Sequence, residues 1–275
     1  MAKKDRFNDE TVFNEVLKAK PQNEATKAKD EIKKILNKKI IVTAKNESQK
    51  KLLNSIDNDE ITICAGLAGT GKTYLAVAEA LSLLQNQNNE FRNIYLVKSA
   101  ITLKGEDLGY IPGTIKEKLD PIMASYYINI EKVIGKNSLD SLINKDIIRV
   151  LPLAYIRGVS LDNCIIILDE TQNVTISNSR TLLTRIGSNC KLIVLGDTNQ
   201  IDIKDEKESS LKLLTVLFND VNKIGVIEMD VNDVNIRNPL IDDIERKYTE
   251  YFKEKNKTVK YPTKNNKQLL VETAK

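Results

Sequence analysis

The chain has 275 residues, of which 41% are apolar and 29% are charged, and its formal net charge is +4. This composition suits one large α/β domain with a buried core, and the absence of histidine excludes a Ser-His-Asp triad, a Cys-His pair and a histidine-ligated zinc. The chain has no run of about 18 apolar residues, and its N-terminus lacks the apolar segment of a signal peptide. We therefore expect a cytoplasmic protein without a membrane partner.

Predicted strands and helices alternate along most of the chain. In chain order they are helix 24–37, helix 47–55, strand 61–65, helix 73–84, strand 94–97, helix 116–130, strand 147–151, strand 164–168, helix 176–186, strand 192–195, helix 209–218, strand 226–229 and helix 239–251. The predicted strands are short, rich in β-branched residues and bounded by turn residues. This pattern predicts an α/β fold whose parallel sheet is buried on both faces.

The elements and the charges divide the chain into three predicted parts. These are a partly helical N-terminal extension over 1–39, a main domain over 40–251 and a basic tail over 252–275. From Lys253 to Lys275 there are seven lysines and two glutamates, and such a tail can bind the phosphates of a nucleic acid. A solvated tail without a partner is the alternative.

A glycine-rich segment follows the first strand of the main domain. It reads Gly66-Leu67-Ala68-Gly69-Thr70-Gly71-Lys72-Thr73 and matches G-x-x-x-x-G-K-S/T in full, with a strand before it and a helix after it. The backbone N–H groups of such a loop surround phosphates, and the helix N-terminus adds its positive dipole end. We assign Lys72 to the β- and γ-phosphates and Thr73 to Mg²⁺. The sequence thus predicts ATP and Mg²⁺ as cofactors.

Two later strands end in polar residues that could complete this site. The strand 164–168 is followed by Asp169 and Glu170, and ligands of open α/β sheets bind outside the carboxyl ends of the strands. We assign Asp169 to Mg²⁺ and Glu170 to the attacking water, with an ordinary charged strand end as the alternative. After the strand 192–195, Gln200 is a candidate sensor of the γ-phosphate or the water, or simply part of a turn.

Together, these three motifs resemble the PhoH family, whose nucleotide core is similar to the first motor domain of superfamily 1 helicases. The resemblance runs from Ile40 to Tyr251 and also covers Leu108–Gly113, Leu153–Gly158, Leu183–Gly187 and Arg237–Leu240. It implies a three-layer, RecA-like P-loop NTPase fold and an ATPase that acts with RNA or single-stranded DNA. The compact length and the Lys/Asn/Ile-rich composition resemble phage-encoded members.

The resemblance also implies roles for residues outside the three motifs. Gln49 would read adenine, with a surface helix position as its alternative. Arg237 would act on ATP, either in its own site or in that of a neighbour in a homo-oligomeric ring; a surface arginine is the alternative. Candidate phosphate contacts to nucleic acid follow the core strands, with solvated surface charges as the alternative: Lys98, Lys104, Lys116, Lys118 and Arg157. The family usually has proline after the basic residue where this chain has Lys98-Ser99.

These features predict hydrolysis of ATP with Mg²⁺, coupled to RNA or single-stranded DNA binding or unwinding in an oligomer. A single motor domain would need a neighbouring subunit to complete its site for strand separation. One alternative is a nucleotide-controlled scaffold or switch without turnover, against which Glu170 argues. Another is a small-molecule kinase, which would need an arginine-rich lid that the sequence does not show.

Overall fold

The computed structural model of the protein describes residues 22–98, 115–153, 156–158 and 160–229, together with 240, 243–244, 246–248 and 250–251. The chain divides into two compact units, Met1–Asp233 and Val234–Lys275. In the second unit the described residues are helical, in agreement with the helix predicted over 239–251. No described helix is both long enough and apolar enough to cross a membrane.

The first unit alternates strands and helices as predicted. Its elements are α1 (Gln22–Ile35), α2 (Glu47–Asn58), β1 (Ile61–Gly66), α3 (Lys72–Gln85), β2 (Asn93–Lys98), α4 (Ile115–Ile134), α5 (Lys136–Asn144), β3 (Ile148–Val150), β4 (Cys164–Asp169), α6 (Ile176–Leu183), β5 (Cys190–Gly196), α7 (Leu211–Leu217) and β6 (Ile224–Met229). The short α5 was not predicted, and neither was a 3-10 helix over Thr171–Asn173. The predicted helix over 176–186 ends earlier, at Leu183.

All six strands are parallel and follow the order β3-β2-β4-β5-β1-β6. Within this register, Lys98 at the end of β2 lies opposite Asp169 at the end of β4, and Ala65 near the end of β1 lies opposite Gly196 at the end of β5. The carboxyl ends of four contiguous strands, β2, β4, β5 and β1, therefore meet at one edge of the sheet. The residues at and after the ends of β1, β4 and β5, together with Lys98 at the end of β2, form the candidate site.

Alternate residues of each strand pack into two separate hydrophobic layers. On one face, Ile165, Ile167, Ile193 and Leu195 pack with residues of α1 to α5. On the other face, Ile166, Leu168, Leu192 and Val194 pack with Leu182 of α6 and with Leu211 and Leu214 of α7. Because a strand directs successive side chains to opposite faces, both faces of the sheet are buried. The predicted three-layer α/β fold with a parallel sheet is confirmed.

The N-terminal residues of the described chain share the core of the first unit. Ile32 and Leu36 are buried in it, and Gln85 of α3 bonds to the segment after α1. The Gln85 side chain donates to the carbonyl oxygens of Leu36 and Lys38 at 2.7 Å each and accepts from the N–H of Ile40 at 3.0 Å. The division of the chain at residues 39 and 251 stays a prediction.

Candidate functional site

The glycine-rich loop joins β1 directly to α3. Gly71 precedes α3 with φ of 87°, a left-handed conformation that glycine adopts without a steric cost. From the first turn of α3, the Lys72 ammonium turns back and donates to the carbonyl oxygens of Gly66 at 2.8 Å and Leu67 at 2.7 Å. The hydroxyl of Thr70 also donates to Leu67, at 2.9 Å. The loop is therefore folded around a buried cation.

The charge of Lys72 interacts with the acidic residues at the ends of β4 and β5. Its side chain is buried, and this burial lowers the pKa of the ammonium. The negative charges of Asp197, Asp169 and Glu170 act in the opposite direction and raise the pKa. The ammonium of Lys72 and the acidic strand ends therefore act on each other electrostatically.

The hydroxyl of Thr73 donates to the Oδ2 atom of Asp169 at 2.9 Å, across 96 residues of sequence. Asp169 is only 6% exposed, and its other carboxylate oxygen accepts from the backbone N–H of Glu170 at 2.9 Å. Burial raises the pKa of Asp169, and the neighbouring charge of Glu170 adds to this effect. The fold thus brings together the two residues that the sequence assigned to Mg²⁺.

Thr73, Asp169 and Lys72 carry the kinds of groups that hold Mg²⁺ and phosphate oxygens in nucleotide-binding proteins. Mg²⁺ is usually held by one or two carboxylates together with substrate phosphates and water, and the described residues contain no larger cluster of metal-ligating side chains. The buried Oδ2 atom of Asp197 has no hydrogen-bond partner among the described residues, and the charge of this carboxylate acts on Lys72. When bound, ATP supplies the phosphoryl group and Mg²⁺ offsets its negative charge.

Glu170 follows β4 in a left-handed backbone conformation, with φ of 56° and ψ of 39°. Its Oε2 atom accepts from the side-chain amide of Gln172 at 2.6 Å, and its Oε1 atom lies 3.7 Å from the ammonium of Lys98. The Glu170 side chain is nevertheless 39% exposed. The sequence singled out Glu170 but assigned no role to Gln172, because the 3-10 helix that orients Gln172 has no signal in the sequence.

Gln49 of α2 lies close to the glycine-rich loop over 66–73, which we call the phosphate loop. Its side chain is buried and does not lie on a surface face of the helix. Its amide Nε2 donates to the carbonyl oxygen of Thr70 at 3.0 Å, and its Oε1 atom accepts from the backbone N–H of Lys45 at 2.8 Å. Only 1% of Gln49 is exposed. The contact connects α2 with the loop, and the adenine-reading role stays a prediction.

The remaining predicted site residues are less closely connected to this cluster. Gln200 is exposed in the turn after β5, where its backbone N–H donates to the carbonyl of Asp197 at 3.2 Å. Arg157 is exposed on the turn that includes Gly158. Lys104 and Arg237 lie outside the described residues, as do the side chains of Lys116 and Lys118 and the basic tail. Their roles stay predictions.

The chain matches the family model described as PhoH-like protein over residues 41–249. It is 36% identical to a PhoH-like protein of Bacillus subtilis (strain 168) over 207 residues, which are 75% of this chain and 64% of that protein. It is 30% identical to the protein PhoH of Escherichia coli (strain K12) over 194 residues, which are 70% of this chain and 54% of that protein. The matched regions thus span less than two thirds of both relatives.

A solved structure of Pif1 helicases at forked double-stranded DNA aligns with 68% of this chain and 44% of that chain, at a TM-score of 0.30 and 13% identity. The family model covers the glycine-rich loop and the acidic ends of β4 and β5. The chain belongs to the PhoH-like protein family.

Proposed function

We propose that this chain binds ATP with Mg²⁺ and hydrolyses it. The observation that carries the proposal is the hydrogen bond between Thr73 and Asp169, because it joins the phosphate loop to the acidic end of β4. Glu170 is the next residue and is partly exposed. A site that only bound nucleotide would not need this second carboxylate.

Some of the site residues bind the phosphates and Mg²⁺, and others act on the attacking water. Lys72 offsets the charge of the β- and γ-phosphates, while Thr73 and Asp169 hold Mg²⁺. Glu170 orients the attacking water and accepts its proton. Gln200, in the turn after β5, contacts the γ-phosphate. The conformation of this turn therefore differs between the ATP and ADP states.

We further propose that turnover is coupled to RNA or single-stranded DNA. The support is the family resemblance together with the basic residues beyond the carboxyl ends of the strands, of which Arg157 is exposed. Arg237 acts in the site of a neighbouring subunit in a ring, where an arginine can accelerate phosphoryl transfer by roughly 10³–10⁵-fold. Mixing Lys72→Ala with Arg237→Ala chains would restore activity if Arg237 acts between subunits. Co-assembly without activity would contradict this role.

The central experiment measures ATP hydrolysis by the full chain with RNA, with single-stranded DNA and with no polymer. We expect Mg²⁺-dependent hydrolysis that at least one polymer stimulates. Binding of ATP without turnover under all three conditions would refute the proposal and favour a nucleotide-controlled scaffold or switch. Equal rates under all three conditions would refute only the coupling to nucleic acid.

A further inference from the structure

The carboxylate of Glu170 is held from both of its oxygens. Gln172 donates to Oε2 at 2.6 Å, and the Lys98 ammonium lies 3.7 Å from Oε1. The two partners come from different parts of the fold, since Gln172 follows β4 and Lys98 ends β2. Glu170 has a left-handed backbone, so its main chain is already restricted and its side-chain rotamer decides where the carboxylate lies.

Gln172 is fixed by the neighbouring strand β5. It has no exposed surface, and its Oε1 atom accepts from the backbone N–H of Asp197 at 3.0 Å. Its own carbonyl oxygen accepts from the hydroxyl of Ser209 at 2.8 Å. A Cβ atom on Gly196 would lie 2.5 Å from Gln172 Oε1, so the amide fills the space that this glycine leaves. Since the amide oxygen is bonded to an N–H group, the amide nitrogen must face Glu170.

Lys98 is fixed by α4 and faces the site more than the solvent. Its ammonium donates to the hydroxyl of Ser125 at 3.1 Å, and only 16% of its side chain is exposed. The next residue of α4, Tyr126, is fully buried and lies 2.9 Å from the carbonyl oxygens of both Val97 and Ile167, so α4 is anchored to β2 and β4 together. A lysine enclosed in this way presents little of its charge to a polynucleotide.

We propose that Gln172 and Lys98 are positioning residues that hold the Glu170 carboxylate in place for ATP hydrolysis. This inference rests on the proposed function and assigns Lys98 a role other than the nucleic-acid contact predicted from the sequence. Gln172 links Glu170 to the turn that carries Asp197 and Gln200, and Lys98 links it to α4. A displacement of either element would therefore move the carboxylate.

The test uses Gln172→Met and Lys98→Met in the full chain, each alone and together with Glu170→Gln. Without polymer, we expect each single variant to lower kcat by about 10- to 100-fold, the scale of a misplacement of about 1 Å, with KM for ATP changed less than about twofold. With Glu170→Gln, which removes the carboxylate, neither substitution should lower the residual rate further. Lys98→Arg keeps the charge and should recover part of kcat.

Gln85→Met is the matched control for the loss of a side-chain amide. Gln85 also bonds to backbone groups, but those groups belong to residues 36–40, and its variant should lower thermal stability without lowering kcat. Crystal structures of the nucleotide-free variants provide a readout that does not depend on activity. In Gln172→Met and Lys98→Met we expect the Glu170 carboxylate to leave its position or to occupy several positions.

Three outcomes would overturn the inference. An equal loss of rate with and without Glu170→Gln would show that the two residues only maintain the fold. An unmoved Glu170 carboxylate in both variant structures would also contradict it. For Lys98, normal polymer-free kcat with weakened binding to RNA would make this lysine a nucleic-acid contact. Absence of ATP hydrolysis by the unsubstituted chain is a separate result, because it refutes the proposed function before any variant is compared.

Discussion

The phosphate loop and the acidic end of β4 belong to one site, yet the residues that their hydrogen bonds join are separated by very different distances along the sequence. Lys72 binds the carbonyl oxygens of Gly66 and Leu67, which lie six and five residues before it. Gln172 binds the N–H of Asp197, which lies 25 residues after it. The phosphate-binding part of the site is thus built largely by local contacts, while the surroundings of Glu170 are built by neighbouring strands.

One contact joins these two regions, and a second attaches the loop to a helix. Thr73 bonds to Asp169 across 96 residues, and Gln49 bonds to Thr70 across 21 residues. The first connects the loop to β4, and the second connects it to α2. The following predictions disturb each region in turn, from the largest expected effect to the smallest.

Lys72→Ala tests the local part of the site. We expect ATP hydrolysis to fall to the assay background and ATP binding to weaken, because the charge that offsets the β- and γ-phosphates is removed. Hydrolysis and the binding of a fluorescent ATP analogue measure the two effects. Lys191→Ala is a matched control, since Lys191 also donates to two backbone carbonyls, at 2.9 and 2.7 Å, but at the opposite edge of the sheet. Normal hydrolysis by Lys72→Ala would contradict the assignment of the loop.

Glu170→Gln tests the part of the site that the strands assemble. We expect kcat to fall by about 10²- to 10⁴-fold, the usual contribution of a general base, while ATP and Mg²⁺ still bind. The amide has the shape of the carboxylate but cannot accept the proton. Steady-state hydrolysis and equilibrium binding of the same analogue separate the two properties. Loss of binding would instead mean that Glu170 maintains the structure of the loop.

Gln49→Leu tests the contact between α2 and the phosphate loop. It leaves the Thr70 carbonyl and the Lys45 N–H without their side-chain partner, which should destabilise the fold by about 1–3 kcal/mol. If Gln49 reads adenine, the preference for ATP over GTP should also fall, as measured by competition binding. Gln85→Leu is the control that should cost stability without changing this preference. An unchanged preference in Gln49→Leu would leave the residue as a structural support.

A substitution at Glu79 of α3 tests the interaction of this helix with Asp57 of α2. We expect it to affect stability more than turnover. Burial, together with the charge of Asp57 and a hydrogen bond to it, raises the pKa of Glu79 from 4.5 to about 7. The folded state therefore binds a proton more tightly than the unfolded state, so this residue makes the fold less stable as the pH rises from about 4.5 through 7.

Glu79→Gln should remove that penalty. We expect the variant to be more stable than the unsubstituted protein by about 1–2 kcal/mol at pH 8, with the difference vanishing near pH 4. Urea unfolding at several pH values measures it. A difference that does not change with pH would contradict the titration of Glu79. Hydrolysis at pH 8 should be unchanged, since Glu79 lies outside the reacting cluster.

The fold and the centre of the site were predictable because their signals are short-range. The alternation of apolar strands with helices predicted the parallel sheet, and the order of the strands then brought Thr73 to Asp169. The sequence predicts no role for Gln172, because its contacts with Glu170 and Asp197 depend on a 3-10 helix and on β5 lying beside β4. Lys98 was predicted as a nucleic-acid contact, since its sequence neighbours do not show that it faces Glu170.

By itself, the sequence determined the phosphate loop, the layer order of the fold and the identity of the carboxylates at the strand ends. These depend on backbone conformations and apolar periodicities within about ten residues. Only the tertiary structure decided which distant groups meet. Cys164 and Cys190 lie 26 residues apart in the sequence, yet they are register partners in adjacent strands, with sulfur atoms 3.6 Å apart. In the same way Lys98 of β2 lies beside Glu170, and Asp197 beyond β5 orients Gln172 toward Glu170. Strand order and register place these polar side chains together without leaving a local pattern.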